Sequence, residues 1–494
     1  MDEEMSSLTE NDTYSLVELP EDRKAVGSRW VYAIKSGPEG AKRYKARFVA
    51  RGFTQEHSID YDETFSPTAQ MTSLRTFLQV AANKKLEVHS MDVKTAFLNA
   101  DIDYEIYVKQ PEGYEVTKGD KPLYCKLKKS LYGLKQSSRM WNRNIHLYLM
   151  SNGFKQSSVD HCIYTKHDGK DFIMLLLWVD DILIASSSKE LLNAFKTLLK
   201  AKYKMSDLGV LRWFLGITFE ITNEFIKMDQ SIYVSKMLNR FGLNDAKPVT
   251  SPCDPSFVNN IHVDSDLLED PREYRELVGS LIYLMIATRP DISYVVTKLS
   301  QFMAKPNKNH LSAAKRALRY IKGTSNHGLK FSKVDVPLYL TGFSDSDWGS
   351  SEDCKSISGY CFQLQLCGPL ISWKSKKQPV VALSSCEAEY VALTFAIQEA
   401  KYLKQLLMDL LNIENLPIDV MVDNQSSMKL AKNPVYHQRS KHINIKYLFI
   451  RDEVVSGNVR LTYVWSCSNI ADIFTKPASS VKLRSFSCIR GEET

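Results

Sequence analysis

The sequence predicts a multidomain chain of α+β and α/β character, and three observations predict it. A length of 494 residues exceeds what one hydrophobic core serves, so two or three compact units are expected. Up to about Asn244, short apolar runs with strand character are mixed with longer helical patterns. From Leu338 onward, strands come first and then alternate with helices, the pattern of an α/β or α+β unit of roughly 150 residues.

Within the first unit the best strand is Phe172 to Trp178, an almost unbroken apolar run. It is followed by Asp180-Asp181 and a second run, Ile182 to Ala185. Two apolar runs meeting at a polar pair predict a hairpin with the acids at or beside its turn. Between Ala246 and Asp270 the pattern dissolves into Pro248, Pro252, Pro255, Asn259 and Asn260, which reads as a linker. Asp270 and Pro271 then make an N-cap and first helical residue for a helix running toward Ala287. A second helix, roughly His310 to Lys322, ends at Gly323 and carries Lys315, Arg316, Arg319 and Lys322. The last unit opens with a strand from Leu338 to Asp345 and a strand pair near Gly359 to Trp373. A long helix from Ser385 to Leu411, a strand ending at Asp423 and a helix around Asp472 complete it.

Composition excludes several classes. Apolar content of 44% and charged content of 24% are those of ordinary globular protein, and a net charge of +7 is compatible with a polyanionic partner. Nine scattered cysteines without a CxxC spacing argue against a disulfide framework or a zinc finger. Met1 to Glu10 is acidic and polar, unlike a signal peptide, and no apolar run reaches the roughly 20 residues that span a bilayer. A cytoplasmic or nuclear location without membrane attachment is expected.

Asp92 lies in a stretch of period-two apolar residues, where an ionised carboxylate is costly unless a cation compensates it. The argument is stronger for Asp180 and Asp181. An isolated Asp-Asp pair is more often an exposed turn, but both flanks here are apolar. Three acids carried by two strands would make a hard oxygen site suited to Mg²⁺, and paired divalent ions about 4 Å apart are the usual device for in-line phosphoryl displacement.

In the last unit Asp345 and Asp347 fall two residues apart on one strand face. Ser384-Ser-Cys-Glu387 matches a capping box, which occupies Glu387 and leaves Glu389 beside the buried helical stripe of Tyr390, Leu393 and Ile397. Asp423 ends a strand and Asp472 lies on a separate element. Each acid alone would be an ordinary cap or surface group, but four on separate elements can converge on one metal site. His437 and His442, five apart with Arg439 and Lys441 between them, lack a third ligand and have basic neighbours, so helix packing or nucleic-acid contact explains them better than a metal.

Lys42, Arg43, Lys45, Arg47 and Arg51 form a dense basic stretch, readable also as a solvated face. From Lys121 to Val159 there is no acid, while Lys121, Lys126, Lys128, Lys129, Lys135, Arg139 and Arg143 are interleaved with Tyr124, Tyr132 and Trp141. Such a mixture suits a template strand.

The segments Arg29-Trp-Val-Tyr32, Lys45-Ala-Arg-Phe-Val-Ala-Arg-Gly-Phe-Thr-Gln55, Asp62-Glu-Thr-Phe-Ser-Pro67, Met91-Asp-Val-Lys-Thr-Ala-Phe-Leu98, Gln110-Pro-Glu-Gly113, Ser130-Leu-Tyr-Gly-Leu-Lys-Gln136, Trp178-Val-Asp-Asp181 and Phe214-Leu-Gly216 resemble the reverse transcriptase of copia-type LTR retrotransposons. Gly342-Phe-Ser-Asp-Ser-Asp347, Gly359-Tyr360, Ser372-Trp-Lys-Ser-Lys-Lys-Gln378, Ala382-Leu-Ser-Ser-Cys-Glu-Ala-Glu-Tyr390, Lys441-His-Ile443 and Ala471-Asp-Ile-Phe-Thr-Lys-Pro477 resemble its ribonuclease H. The resemblance covers nearly the whole chain. It implies a right-hand polymerase followed by a ribonuclease H-like domain: fingers and palm over residues 1–245, a thumb or connection module over 246–337, the nuclease over 338–480 and a tail over 481–494. It implies an RNA-directed DNA polymerase with ribonuclease H activity, acting on RNA and DNA templates, a primer, RNA–DNA hybrids and deoxynucleoside triphosphates, with Mg²⁺, or alternatively Mn²⁺, as cofactor.

Carried over by position, Asp92, Asp180 and Asp181 would hold metal for polymerisation, and Asp345, Glu389, Asp423 and Asp472 for hydrolysis. Lys45, Arg47 and Arg51 would meet the triphosphate, with Tyr132, Gly133 and Trp178 also at the substrate. Phe97 would be the aromatic gate against a 2′-hydroxyl, although a plain core Phe fits the residues equally well. Two departures are Trp178, where the family has Tyr, and Ser138, where it commonly has Pro. The competing reading is a nucleic-acid-binding remnant without turnover; the survival of all seven acids favours activity. With no capsid, protease or integrase segment recognised, transposition by this chain alone is not expected.

Overall fold

The computed structural model describes all residues except 37–41, 255, 258–260, 262–264, 352, 366–367, 433–440, 486 and 492–494. His437 and Arg439 therefore lie outside the described residues, as do Pro255, Asn259 and Asn260 of the linker and the side chains of Lys42, Arg43, Lys441 and His442. The chain forms two compact units, residues 1–69 with 88–210, and residues 70–87 with 211–494.

The first unit begins with helix α1 (Asp2–Glu10) and a long hairpin of β1 (Ser28–Ser36) and β2 (Lys42–Ala50), paired along their whole length. Alternation turns Phe48 and Ala50 inward to a core with Leu8, Val26, Leu98, Ile106 and Leu131. The chain then leaves for helix α2 (Met71–Asn83), part of the second unit, and returns through β3 (Glu87–Val93). Helix α3 (Ser137–Ser151) leads to β4 (Lys155–Gln156), β5 (Ile163–Asp168), β6 (Asp171–Trp178), β7 (Asp181–Ser186), helix α4 (Lys189–Lys202) and β8 (Met205–Val210). The strands form a six-stranded sheet in the order β8-β3-β7-β6-β5-β4. Ile173 to Leu177 on β6 are all buried, which is why that stretch reads as a continuous apolar run rather than an alternating one. The Ser188 hydroxyl caps α4 by accepting from the Leu191 amide at 3.2 Å.

In the second unit β9 (Trp213–Phe214), β10 (Ile217–Ile221), β11 (Phe225–Asp229) and β12 (Gly328–Ser332) make a four-stranded sheet in that order. Between β11 and β12 come α5 (Ser231–Arg240), α6 (Arg272–Ala287), α7 (Ser293–Ser300) and α8 (Lys308–Gly323). Helix α6 starts one residue later than its sequence signals place it. Pro271 is the cap, and the Asp270 carboxylate accepts from the Arg272 amide at 3.0 Å. The basic residues of α8 hold the chain itself: Arg319 donates to the Lys247 carbonyl at 2.7 Å, Lys322 to that of Ala246 at 2.9 Å, and Lys315 pairs with Glu273 at 2.8 Å.

The remainder is a five-stranded sheet of β13 (Leu340–Asp347), β14 (Ile357–Gln363), β15 (Leu370–Lys377), β16 (Ile418–Val422) and β17 (Arg460–Tyr463) in the order β15-β14-β13-β16-β17. The first three strands run antiparallel and the last two join parallel to β13. Helix α9 (Ser385–Leu411) packs on β13 and β14, capped by Ser384 as its capping box implies, and ends at Asn412 with φ +53°. Helices α10 (Gln425–Lys432) and α11 (Lys441–Val455) follow β16. The expected helix around Asp472 is instead a five-residue 3₁₀ segment, Ile470–Phe474, whose start is fixed by the Asn469 side chain accepting from the Ala471 amide. Pro477, three residues on, keeps it short.

Helix α2 is buried on nearly every side and carries a fully buried cation, Arg75. Its guanidinium donates to the carbonyls of Ile371 (2.7 Å), Ile286 (2.6 Å) and Ala287 (3.2 Å) and lies 3.9 Å from the Trp373 ring centre. Burial, opposed by Glu399, pulls its pKa down to about 9. Arg75→Met leaves these carbonyls without donors, and a loss of about 3–5 kcal/mol in urea unfolding of the second unit is expected.

Candidate active sites

The hairpin of β6 and β7 turns through Val179 and Asp180, with Trp178 paired to Asp181 across it. Val179 has φ +58°, a conformation that a β-branched residue adopts only under constraint. Two hydrogen bonds supply the constraint. The Trp141 indole donates to the Val179 carbonyl at 2.7 Å, and the Val93 amide donates to the Asp180 carbonyl at 2.8 Å. The second bond sets Asp180 beside Asp92, the residue preceding Val93. Sequence patterning finds the acids but not the strain at Val179, because nothing in a Val codon position announces a positive φ.

Asp92 and Asp180 line a cavity of about 580 Å³, together with Lys45, Arg47, Lys94, Lys204 and residues of α1. Lys45 and Arg47 share one face of β2. Arg51, beyond the strand end, is exposed and packs its stem against Gly27. Arg51, Phe97, Tyr132, Gly133, Trp178 and Asp181 do not line this cavity. Phe97 nonetheless packs on Tyr132 at 4.8 Å, and the Arg47 guanidinium lies 4.6 Å from the same Tyr132 ring. Burial pushes the Tyr132 hydroxyl up to about 12, with Arg47 opposing and Asp180, Glu4 and Asp92 adding to the shift. Gly133, at φ +93°, is placed so that a Cβ would meet the Ala50 carbonyl at 2.1 Å, so its backbone abuts β2. Gly133→Ala is expected to lower the melting temperature of the first unit sharply or prevent its folding, as read by circular dichroism.

Helix α1 is the feature of this cavity that sequence reading misses. Glu4 is buried, accepts from the Phe48 amide at 3.2 Å, and has its pKa raised by burial against the pull of that bond and of Arg47 and Lys45. Glu10 pairs with Lys204 at 3.0 Å.

The acid-free run from Lys121 to Val159 is not free of acids in space. Lys121 pairs with Glu18 (3.3 Å), Lys128 with Asp12 (2.8 Å), Lys129 with Asp101 (2.6 Å), Lys126 with Glu105 and Arg139 with Glu63. Trp141 is buried against the Val179–Asp180 turn rather than open to stack on a base. The partner acids are remote in sequence and invisible to a local window, so the run is less uniformly basic in space than in sequence.

In the second unit carboxylate oxygens of Asp345, Glu389 and Asp423 all lie within 4.8 Å of one another, the one such group of three potential ligands among the described residues. Asp345 comes from the C-terminal half of β13, Asp423 follows β16, and these two strands are parallel neighbours. Glu389 projects from the first turns of α9, where its Oε1 accepts from the Ser346 amide at 3.2 Å. Its Oε2 is buried with no hydrogen-bond partner. Burial pushes Asp345 up to about 7, with Asp472 and Asp423 adding and Lys476 and Thr475 opposing. Burial, then the charges of Asp345 and Asp423, hold Glu389 well above the ordinary carboxylate range. An orphaned buried carboxylate oxygen among crowded acids is the donor set that a divalent cation satisfies, so these three residues fit a metal ion.

Asp472 stands apart from that triad. Its oxygens take Lys476 at 3.1 Å and Lys482, while Thr475 donates to Asp345. Glu387 has its expected structural task, accepting from the Leu383 amide at 2.8 Å. Asp92, Asp180 and Asp181 do not form a group as tight as the triad.

A family model described as reverse transcriptase (RNA-dependent DNA polymerase) matches residues 11–255. The chain is 41% identical over 486 residues to the retrovirus-related Pol polyprotein from transposon TNT 1-94 of Nicotiana tabacum, covering 96% of this chain and 36% of that one. It is 34% identical over 314 residues to a putative transposon Ty5-1 protein of Saccharomyces cerevisiae, covering 63% of this chain and 100% of the relative. The chain belongs to the copia-type retrotransposon Pol family. It spans about a third of the plant polyproteins, which include that of transposon RE1 of Arabidopsis thaliana, 40% identical over 491 residues with 98% of this chain and 33% of the relative covered. Among solved structures, a foamy viral protease-reverse transcriptase in complex with dsDNA superimposes with a TM-score of 0.51 at 14% identity, covering 94% of this chain and 81% of that one. The fold of this Pol chain is thus a reverse-transcriptase fold followed by a ribonuclease H-like domain, as expected from sequence. No helix among the described residues is long and apolar enough to cross a membrane.

Proposed function

We propose that this Pol chain is an RNA-directed DNA polymerase that also cleaves the RNA strand of RNA–DNA hybrids. The observation that carries the reading is the union of Asp92 and Asp180, locked by the Val93 to Asp180 hydrogen bond, in one cavity with Lys45 and Arg47. Carboxylates able to hold divalent ions beside cations able to hold a triphosphate are what nucleotidyl transfer requires.

Asp92, Asp180 and Asp181 would hold Mg²⁺ or Mn²⁺ in the first unit, and Asp345, Glu389 and Asp423, with Asp472 beside them, in the second. Bound there, the ions supply charge neutralisation and an activated oxygen for phosphoryl transfer or hydrolysis. Lys45 and Arg47 neutralise the incoming deoxynucleoside triphosphate. Phe97, braced by Tyr132, closes the sugar edge against a 2′-hydroxyl. Gly133 serves through its backbone, keeping Tyr132 and β2 in register, while Arg51 joins Lys45 and Arg47 at the triphosphate and Trp178 stands at the end of β6 beside the substrate. In this reading residues 1–245 act as fingers and palm, 246–337 as thumb or connection, 338–480 as nuclease and 481–494 as a tail.

Two assays on the full chain test it. Primer extension on poly(rA)/oligo(dT) with Mg²⁺ should exceed that of Asp180→Asn, and a labelled RNA–DNA hybrid should release RNA fragments while duplex RNA does not. Extension no greater than in the variant ends the polymerase reading, and an intact hybrid ends the nuclease reading.

A further inference from the structure

We infer that a second cavity, behind the Val179–Asp180 turn, reads the sugar of the template strand, the Ser138 hydroxyl and the Asn142 side-chain amide taking the 2′-hydroxyl of an RNA template. The inference rests on the polymerase reading above and deepens it. This cavity, of about 250 Å³, shares no lining residue with the larger one that Asp92 and Asp180 line. Val179 lines the smaller and Asp180 the larger, so the turn separates them. The floor of the smaller cavity is apolar, made by Trp141, Ile145 and Leu177, and its rim carries Thr64, Thr68, Lys135, Ser138 and Asn142.

The polar groups are built into the wall. Ser138 and Asn142 lie one helical turn apart on α3, with Trp141 between them, and so share a face with Ile145. The Trp141 indole is committed to the Val179 carbonyl at 2.7 Å, and the Ser138 carbonyl accepts from the Ser66 hydroxyl at 3.1 Å, which fastens the segment of Thr64 and Thr68 to the helix. The side chains of Ser138 and Asn142 are half-buried and take no hydrogen-bond partner among the described residues. Each offers both a donor and an acceptor, the complement of a hydroxyl that is both. Lys135 is held by neutral groups, the Tyr61 hydroxyl at 2.8 Å and the Gln55 carbonyl at 3.3 Å, so its charge stays available to a phosphate. A ribose packed on the apolar floor, with its 2′-hydroxyl toward Ser138 and Asn142, satisfies both side chains, and a deoxyribose leaves them unpaired. A polymerase that copies RNA into DNA faces opposite demands on the two sugars of each new base pair. Phe97 closes one side to a 2′-hydroxyl, and this cavity accommodates it on the other.

Fluorescence anisotropy reads the site in the full chain, with a DNA primer on a DNA template that carries a single ribonucleotide moved one position at a time past the primer end. A Glu389→Gln background keeps the template uncut in Mg²⁺. At one or two positions beside the primer end the ribonucleotide should tighten binding about threefold to tenfold, the range of one or two hydrogen bonds. Ser138→Ala combined with Asn142→Ala should erase that gain, bringing the affinity to that of the all-DNA template, whereas Ser138→Thr, which keeps the hydroxyl, should retain most of it. In the double variant the ratio of extension on poly(rA)/oligo(dT) to that on poly(dA)/oligo(dT) should fall at least about threefold. Asn142→Ala alone reads the same quantities if the double variant fails to fold. No positional gain in the chain with Ser138 and Asn142 in place, or a gain that survives their replacement, overturns the inference and leaves the polymerase reading standing. Extension no greater than in Asp180→Asn ends the polymerase reading, and the inference with it.

Discussion

Asp180→Asn should reduce primer extension by at least about 10³-fold while hybrid cleavage stays within about twofold of wild type. The substitution changes a charge and almost nothing else. The Asp180 main-chain carbonyl keeps its bond from the Val93 amide, the Val179 carbonyl keeps the Trp141 indole, and the side chain is only half-buried. The turn should therefore hold its shape, and the melting transition should move little. Asp180 belongs to the first unit and the acid triad to the second, so hybrid cleavage serves as an internal control for folding and concentration. Asp181→Asn should cost less, about 10- to 100-fold, because Asp181 begins β7 and does not line the cavity that Asp92 and Asp180 share. Equal losses in the two variants would mean that the turn reorganises on substrate binding to bring Asp181 in. Unchanged extension in Asp180→Asn would remove that residue from the chemistry.

What could be read from sequence divides along a physical line. The β6–β7 hairpin, the long helix α9 and its Ser384 cap were legible because each is encoded by adjacent residues, through an apolar run, a helical stripe or a capping box. The candidate acids were legible because a carboxylate in apolar sequence is costly and needs a reason. Long-range pairing was not legible. Glu18, Asp12 and Asp101 pair with a lysine-rich run more than 25 residues away in sequence, so a run that reads as acid-free has acids beside it in space. The place of α2 in the second unit rests on Arg75 reaching carbonyls more than 200 residues distant, which no local window contains. Lys476 was visible as a letter in the Ala471 to Pro477 motif, but its contact with Asp345 depends on a sheet strand 131 residues earlier. Inverse reasoning from strain, as at Val179, needs the backbone itself.

Glu389→Gln should abolish hybrid cleavage, again by at least about 10³-fold, and at the same time make the metal-free second unit more stable. The two effects have one cause. Glu389 is buried with an unpartnered oxygen beside Asp345 and Asp423, so its negative charge is unfavourable until a cation arrives. Burial raises the pKa of both Asp345 and Glu389 in the folded chain, and a raised carboxylate makes the folded state retain a proton that the unfolded chain has released. For Asp345 that interval runs from the ordinary value of 3.8 up to about 7. Across it the unfolded chain holds fewer protons than the folded one, so Asp345 should make stability in EDTA decline as pH rises through that interval, with Glu389 acting in the same direction. Mg²⁺ or Mn²⁺ should reverse the decline in the wild-type chain. Glu389→Gln removes one of the competing charges, so its melting temperature in EDTA at pH 8 should exceed wild type by about 3 °C or more, and added Mn²⁺ should raise it far less. A variant no more stable than wild type in EDTA, with the same response to Mn²⁺, would show that the triad is neutralised within the protein and binds no ion. Reduced cleavage without that change in metal response would instead make Glu389 a contact to the hybrid.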